Sequence, residues 1–408
     1  WKLLPKGPWE RYPKMGGKNV VRHFTVFPSA KSGSEEFLVS AEHGVWLGRD
    51  PRWRLIADKT GGPVMALKGL LFAAAGDGEL MLSRDNGENW RVAAFLPGRI
   101  MALAGASEPG GKSLILASVR GKGIYRSEDM GASWQRSTGS YENETQLKIV
   151  PEQILAAYAL QTEGIKTQQL LKSVDGGKSW EKVFRMPPTG KAKREKDSVD
   201  PSWLQTSLYW NYYFTRNGFA VSRTNPDFCL VTTSGEIYAS RDGGESWRQS
   251  MAHELEPLGD GTRRWQSVGL EITSCWGYYF NPHEPAREYI AYSDIGFSSS
   301  VDRGRSWSWS ASGSPWMNTF YDLVFDPDIP GRLYAAASRR HDIPHYLALS
   351  ATMPGRGVNQ GGVVVSDLWG ESWKRAYGAS DPGALPNHVC TTIALDPDSP
   401  SDRRILYA

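Results

Sequence analysis

The sequence predicts an all-β protein in which one antiparallel unit is repeated along the chain, and three observations carry that prediction. The string Ser-x-Asp-x-Gly-x-x-Trp occurs five times, at residues 83–90, 127–134, 173–180, 240–247 and 300–307. A sixth copy at 366–373 keeps everything but the acid, which is Leu368. Short apolar runs such as 70–75, 113–118 and 332–337 lie between the copies and have the length of strands. Asn225-Pro226, Asn281-Pro282, Asp326-Pro327 and Asp396-Pro397 each stand just before such a run, and an Asx-Pro pair starts a turn.

The octapeptide reads as a tight strand-to-strand turn. Asp and Ser side chains take up backbone N–H groups, Gly supplies a positive φ, and Trp three residues later opens the next strand and buries its ring against a neighbouring unit. A turn that serves every unit alike is structural, so Asp85, Asp129, Asp175, Asp242 and Asp302 are expected to hold the fold and not to catalyse. These acids are 44, 46, 67 and 60 residues apart. The first two intervals fit a bare four-stranded unit and the later ones carry insertions, which moves the expected function into the second half.

On these residues the chain resembles the Asp-box, or bacterial neuraminidase repeat, superfamily. The resemblance implies a β-propeller of four-stranded antiparallel blades with the octapeptide joining the third and fourth strands of each blade, and the Asx-Pro pairs then mark the hairpin between the first and second. Counting by these marks gives seven complete blades, the first with a degenerate octapeptide near Gly48 to Trp53. Partial strands remain at both ends, Trp1 to Pro5 and the stretch 388–408, so the propeller is seven- or eight-bladed. Residues 1–408 are expected to form a single domain, and a start without Met and an end inside a β unit suggest a fragment of a longer chain.

Composition fits this reading. The 408 residues are 40% hydrophobic with 43 Gly and 17 Trp, enough for a large core in one domain. A net charge of +3 is too small to argue for nucleic acid or membrane partners, no apolar run reaches transmembrane length, and no signal peptide is visible at Trp1. Cys229, Cys275 and Cys390 are odd in number and lack metal-type spacing, which suits buried small apolar residues. No cofactor and no metal are expected, and the chain is expected to act as a monomer outside the cytoplasm, extracellular or periplasmic.

Strand order places function at the end of the blades opposite the octapeptides. Four insertions are assigned there: 187–217, with the sequences KAKREK and WLQTSLYWNYYF; the polar stretch 251–272; the short turn 293–297; and the loop 337–362. Exposed aromatics stack on sugar rings, so Trp203, Trp210, Tyr213, Trp276 and Trp316 are candidate contacts to a polysaccharide or oligosaccharide; packing onto the blades is the plainer alternative. The segment AYSDIGF around Asp294 resembles the Asp-Ile-Gly-Gly turn of the glycoside hydrolase family 74 xyloglucanases. That resemblance implies a hydrolase with Asp294 as a catalytic carboxylate, although Phe297 replaces the second Gly and the second acid has no aligned partner. A glycosidase needs two carboxylates, and Asp322 and Asp342 are the candidates for the other.

A second kit lies in the segment 339–346, where Arg339, Arg340, His341, Asp342, His345 and Tyr346 stand close together. Arg can neutralise a uronate, His abstract a proton and Tyr protonate the leaving oxygen, which is what a polysaccharide lyase requires. His388 is a further candidate for substrate contact. The sialidases share the octapeptide but carry an Arg-Ile-Pro signature that is absent here, so that activity is set aside. A glycan- or protein-binding propeller without catalysis is the remaining alternative, since fold does not dictate function.

Overall fold

The computed structural model describes residues 21–28, 35–49, 52–108, 111–138, 144–163, 167–185, 199–200, 202–208, 218–232, 236–268, 273–340, 360–378, 381 and 384–408. These fall into two compact units, one running to residue 249 without 202–208, the other comprising 202–208 and everything from 250 onward.

The first unit holds five antiparallel sheets in chain order. Blade one is Val21–Pro28, Glu35–Ala41, Gly44–Arg49 and Arg52–Ala57; blade two is Gly61–Leu67, Leu70–Ala75, Glu79–Ser83 and Arg91–Phe95. Blade three is Ile100–Ser107, Ser113–Val119, Gly123–Ser127 and Gln135–Arg136; blade four is Glu144–Ile149, Ala157–Glu163, Thr167–Ser173 and Glu181–Arg185. Blade five is Phe219–Val221, Cys229–Thr232, Ile237–Ser240 and Trp247–Gln249, with Val199–Asp200 added in parallel along its fourth strand.

The second unit holds blade six, Cys275–Phe280, Glu288–Tyr292, Phe297–Ser300 and Ser308–Trp309, and blade seven, Thr319–Phe325, Leu333–Ser338, Gly361–Ser366 and Lys374–Arg375. A strand pair Ala394–Leu395 and Leu406–Tyr407 follows, and a hairpin Ala252–Leu255 with Arg264–Ser267 precedes blade six. One short helix, Trp203–Ser207, is the sole helical element among the described residues. Meandering four-stranded sheets in this order are the blades of a β-propeller, with seven complete blades and the opening hairpin of another, as the turn signals predict. The segment from Trp1 to Pro5, expected to supply a strand, lies outside the described residues.

The second strands of blades three and seven read as nearly continuous apolar runs because both of their faces are covered. Every residue of Ser113–Val119 and of Leu333–Ser338 is buried. The octapeptide joins strands three and four as expected, and its hydrogen bonds are the same from copy to copy. In 240–247, Ser240 Oγ donates to Asp242 Oδ1 at 2.7 Å and accepts from Gly244 N at 2.8 Å, while Ser246 N donates to Asp242 Oδ1 at 2.9 Å. Ser246 Oγ also donates to Asp242 Oδ2 at 2.5 Å, so the carboxylate accepts three hydrogen bonds from its own turn.

The repeated spacing also docks several of these turns on the blade before them. A β-carbon at Gly244, where φ is +97°, would stand 2.6 Å from Val183 Cβ of blade four, and one at Gly177, φ +74°, 2.6 Å from Leu116 of blade three. Trp247 is 1% exposed, meets the Phe184 ring edge-on at 5.0 Å and donates from Nε1 to Val183 O at 2.7 Å. In the copy that lacks its acid, Trp373 still donates to Ser310 O of blade six at 2.8 Å and packs on Phe297 and Phe320. Ser366 there still accepts from Gly370 N at 2.9 Å, and the neighbouring Asp367 binds Arg332 and Lys374 instead of the turn.

Three expectations need correction. Cys229 and Cys390 are buried, but Cys275, at the start of blade six, is exposed. The stretch 251–272, expected at the end opposite the octapeptides, forms a hairpin against one of them: Trp265 and Trp307 exchange backbone hydrogen bonds at 2.9 and 2.8 Å, and Arg264 reaches Asp302 at 3.7 Å. The fourth strand of blade six is only two residues long, and the hairpin covers the edge it leaves. The insertion 187–217, expected as a loop, supplies the edge strand Val199–Asp200 and the helix.

Candidate functional site

In blade six the turn from Ser293 to Gly296 joins strands two and three, so Asp294 and Asp302 stand at opposite ends of the strand Phe297–Ser300. This turn is unusual in its backbone. Among the described residues seven non-glycines have positive φ. Asn86, Met130, Arg303 and Trp369 all hold the same octapeptide position, just before the Gly, and Lys68 sits in a two-residue hairpin turn. The other two are Asp294, φ +64°, and Thr273, φ +75°, and Thr273 Oγ1 donates to Asp294 Oδ2 at 3.2 Å. A β-branched residue in this region is a true outlier, and such strain gathers at functional sites.

A chain of contacts leads from this turn to blade seven. Trp276 Nε1 donates to Ser293 Oγ at 2.8 Å, the Trp276 and Tyr321 ring centroids are 5.0 Å apart, and Tyr321 OH donates to Arg340 O at 2.9 Å. Trp276 is 38% exposed and offers a ring at the surface, while Tyr321 is buried beneath it. Arg339 is exposed and donates to Gln360 Oε1 at 3.1 Å. Gly361 N donates to Asn387 Oδ1 at 3.2 Å, which brings the exposed His388 beside the start of the third strand of blade seven. Asp294, Trp276, Arg339, Arg340 and His388 thus share the end of blades six and seven remote from the octapeptides.

Other candidates are engaged elsewhere. Asp322 sits at a bulge in the first strand of blade seven: Oδ1 accepts from Leu323 N at 2.9 Å and Tyr279 OH at 3.1 Å, and Oδ2 accepts from Ile393 N at 3.1 Å. Both oxygens are committed to register and to the following strand pair, and burial with the adjacent carboxylate pushes the Tyr279 phenol up. Trp316 is 2% exposed, packed in the core between blades six and seven under the Arg375 guanidinium, and presents no face to a sugar. Trp203 is 7% exposed and lines a cavity of the second unit instead of a surface. Trp210, Tyr213, His341, Asp342, His345 and Tyr346 lie outside the described residues.

The octapeptide acids show the opposite character. Hydrogen bonds from Asn89 and Ser83 hold Asp85 down at about 2, and those from Ser246 and Ser240 hold Asp242 at about 2. Burial opposes ionisation of Asp129, yet bonds from Ser133 and Ser127 still bring it to about 2. Such acids stay ionised and cannot shuttle protons near neutrality. Sequence reasoning missed Thr273 and Ser293, whose roles come from hydrogen bonds across a strand end. Tyr321 stood beside a named candidate in the run TFYDLVF without being marked. Among the described residues no group of His, Cys, Asp and Glu is placed to hold a metal ion.

No protein-family model matches the chain, and no curated protein does. Solved structures do. An ancestral GH74 enzyme is 14% identical over 94% of this chain and 55% of its own, with a TM-score of 0.53, which shows a shared fold. The GH74 xyloglucanase from Xanthomonas campestris is 13% identical over 89% of this chain and 65% of its own, TM-score 0.40. YCF48 from Cyanidioschyzon merolae is 15% identical over 82% of this chain and 95% of its own, TM-score 0.38. The chain spans 55 to 65% of the length of these two GH74 enzymes.

Proposed function

We propose that the chain is a carbohydrate-active propeller that cleaves an extracellular polysaccharide as a glycoside hydrolase, with Asp294 as one of its two carboxylates. The observation that carries this reading is the Thr273–Asp294 pair: a carboxylate held at an exposed strand end by two non-glycine residues in left-handed backbone, next to the exposed Trp276 ring. Asp342 is the better partner acid, because the oxygens of Asp322 are taken up by Tyr279, Leu323 and Ile393. Asp342 follows Arg340 by two residues, and Arg340 is tied to Tyr321 beneath Trp276. In this mechanism one carboxyl protonates the glycosidic oxygen while the other attacks the anomeric carbon or activates water, and Trp276 stacks on the sugar.

Arg339 and Arg340, at the strand end whose Arg340 carbonyl accepts from Tyr321, favour a second reading, a lyase acting on uronate-containing glycans with His341 as base and Tyr346 as acid. One experiment separates the readings. The purified chain is incubated with neutral and uronate polysaccharides while new reducing ends and the ultraviolet absorbance of unsaturated uronates are followed. A hydrolase gives reducing ends alone, and Asp294→Asn and Asp342→Asn abolish them. Unsaturated product that survives Asp294→Asn but not His341→Ala or Tyr346→Phe would establish the lyase. Glycan binding without either product would leave a binding module.

A further inference from the structure

The second unit contains a cavity of about 290 Å³ that the reading above does not use. It lies on the side of blade six that faces away from blade seven, between the sheet, the helix Trp203–Ser207 and the hairpin Ala252–Leu255 with Arg264–Ser267. Six aromatic rings line it: Trp203, Trp265, Tyr278, Tyr292, Trp307 and Trp309. The polar part of the wall is hydroxyl, from Ser267, Ser298 and Ser308, and none of the described lining side chains is charged.

That chemistry selects a ligand class. A wall without charge has nothing to neutralise a phosphate, a uronate or an ammonium group, so ionic ligands would be desolvated without compensation. Flat aromatic faces with a few hydroxyls suit a neutral ring that is apolar on its faces and hydroxylated at its rim. The cavity is large enough for a single sugar ring with water, at the lower end of ligand-pocket sizes.

We propose that this cavity is a second carbohydrate site, taking a neutral pyranose unit by stacking on its indoles and by hydrogen bonds to the serine hydroxyls. It stands apart from the Asp294 turn and does not depend on that turn being catalytic. In chemical terms it would hold a neutral glycan chain without cutting it.

The test is calorimetric titration of the full chain with neutral disaccharides and with a uronate disaccharide, beside Trp265→Phe, Ser308→Ala and Trp276→Ala. Trp265→Phe shrinks one of the stacking rings, and Ser308→Ala removes one hydroxyl. Each is expected to weaken neutral-sugar binding at this cavity about five-fold or more, with the uronate not bound at this site. Protection of tryptophan fluorescence from iodide quenching by the neutral sugar is a second readout on the unaltered chain. Absence of saturable binding of any neutral disaccharide, equal affinity in the parent, Trp265→Phe and Ser308→Ala, or loss confined to Trp276→Ala would overturn the proposal.

Discussion

Arg404 donates from Nε to Asp326 Oδ2 at 3.0 Å and from Nη2 to Asp326 Oδ1 at 2.6 Å, in a pair whose side chains are 3% and 0% exposed. Asp326 is also the Asx residue of its turn, accepting from Asp328 N at 3.0 Å and Ile329 N at 3.1 Å, as Asn281 accepts from His283 N and Glu284 N in blade six. The pair fastens the last strand pair to blade seven. Asp326→Asn is expected to keep the turn, since Asn serves there in blade six, but to lower the melting temperature by removing the charge that Arg404 faces. Arg404→Met is expected to do the same, and the double variant to regain a large part of the combined loss. Additive losses in calorimetry would show that the two residues act independently.

Trp247 fills the junction between blades four and five. Trp247→Ala is expected to destabilise the chain by about 3–5 kcal/mol, by lost burial and the cavity left behind. Urea unfolding followed by circular dichroism checks this, and a midpoint equal to that of the parent would contradict the packing described.

The octapeptide acids give a pH signature. Asp85, Asp129 and Asp242 sit near 2 in the fold, below an unfolded value of about 3.9. A depressed acid contributes stability that is complete above the unfolded value and is lost as pH falls through the folded one. The melting temperature is therefore expected to hold from neutrality to about pH 4 and to fall steeply toward pH 2. In Asp242→Asn, which keeps an acceptor but no titrating group, the slope is expected to be shallower.

Asp322 and Asp294 should part company in kinetics. Asp322→Asn puts an amide NH2 against the backbone N–H groups of Leu323 or Ile393, so a lower melting temperature with kcat nearly unchanged is expected. Asp294→Asn is expected to leave the melting temperature near the parent value and remove turnover. Equal loss of turnover in both variants, each melting as the parent does, would place Asp322 in the chemistry.

The fold was legible because its determinants are local and repeated. The octapeptide states its turn, its glycine and its docking ring within eight residues, and Asx-Pro pairs mark the hairpins independently, so blade boundaries followed without tertiary knowledge. The site was legible only where a residue breaks the repeat, as Asp294 does. Thr273 carries no local signal, because its role depends on a strand end brought beside it from elsewhere in blade six. Trp316 looked like an exposed platform because aromaticity does not distinguish a ring under Arg375 in the core from one at the surface. The hairpin was misplaced because strand order counted 251–272 among the insertions opposite the octapeptides, while Ala252–Leu255 and Arg264–Ser267 pair as strands beside a short edge.

The latch built around three of the octapeptides points backward along the chain. Gly177 rests on Leu116, Gly244 on Val183, and Trp373 on Phe297, in each case a surface made by residues nearer the N-terminus. A polypeptide leaving the ribosome presents those residues first. Blades four, five and seven therefore emerge to find their seats already exposed, and their docking can run in the direction of translation, without waiting for later segments.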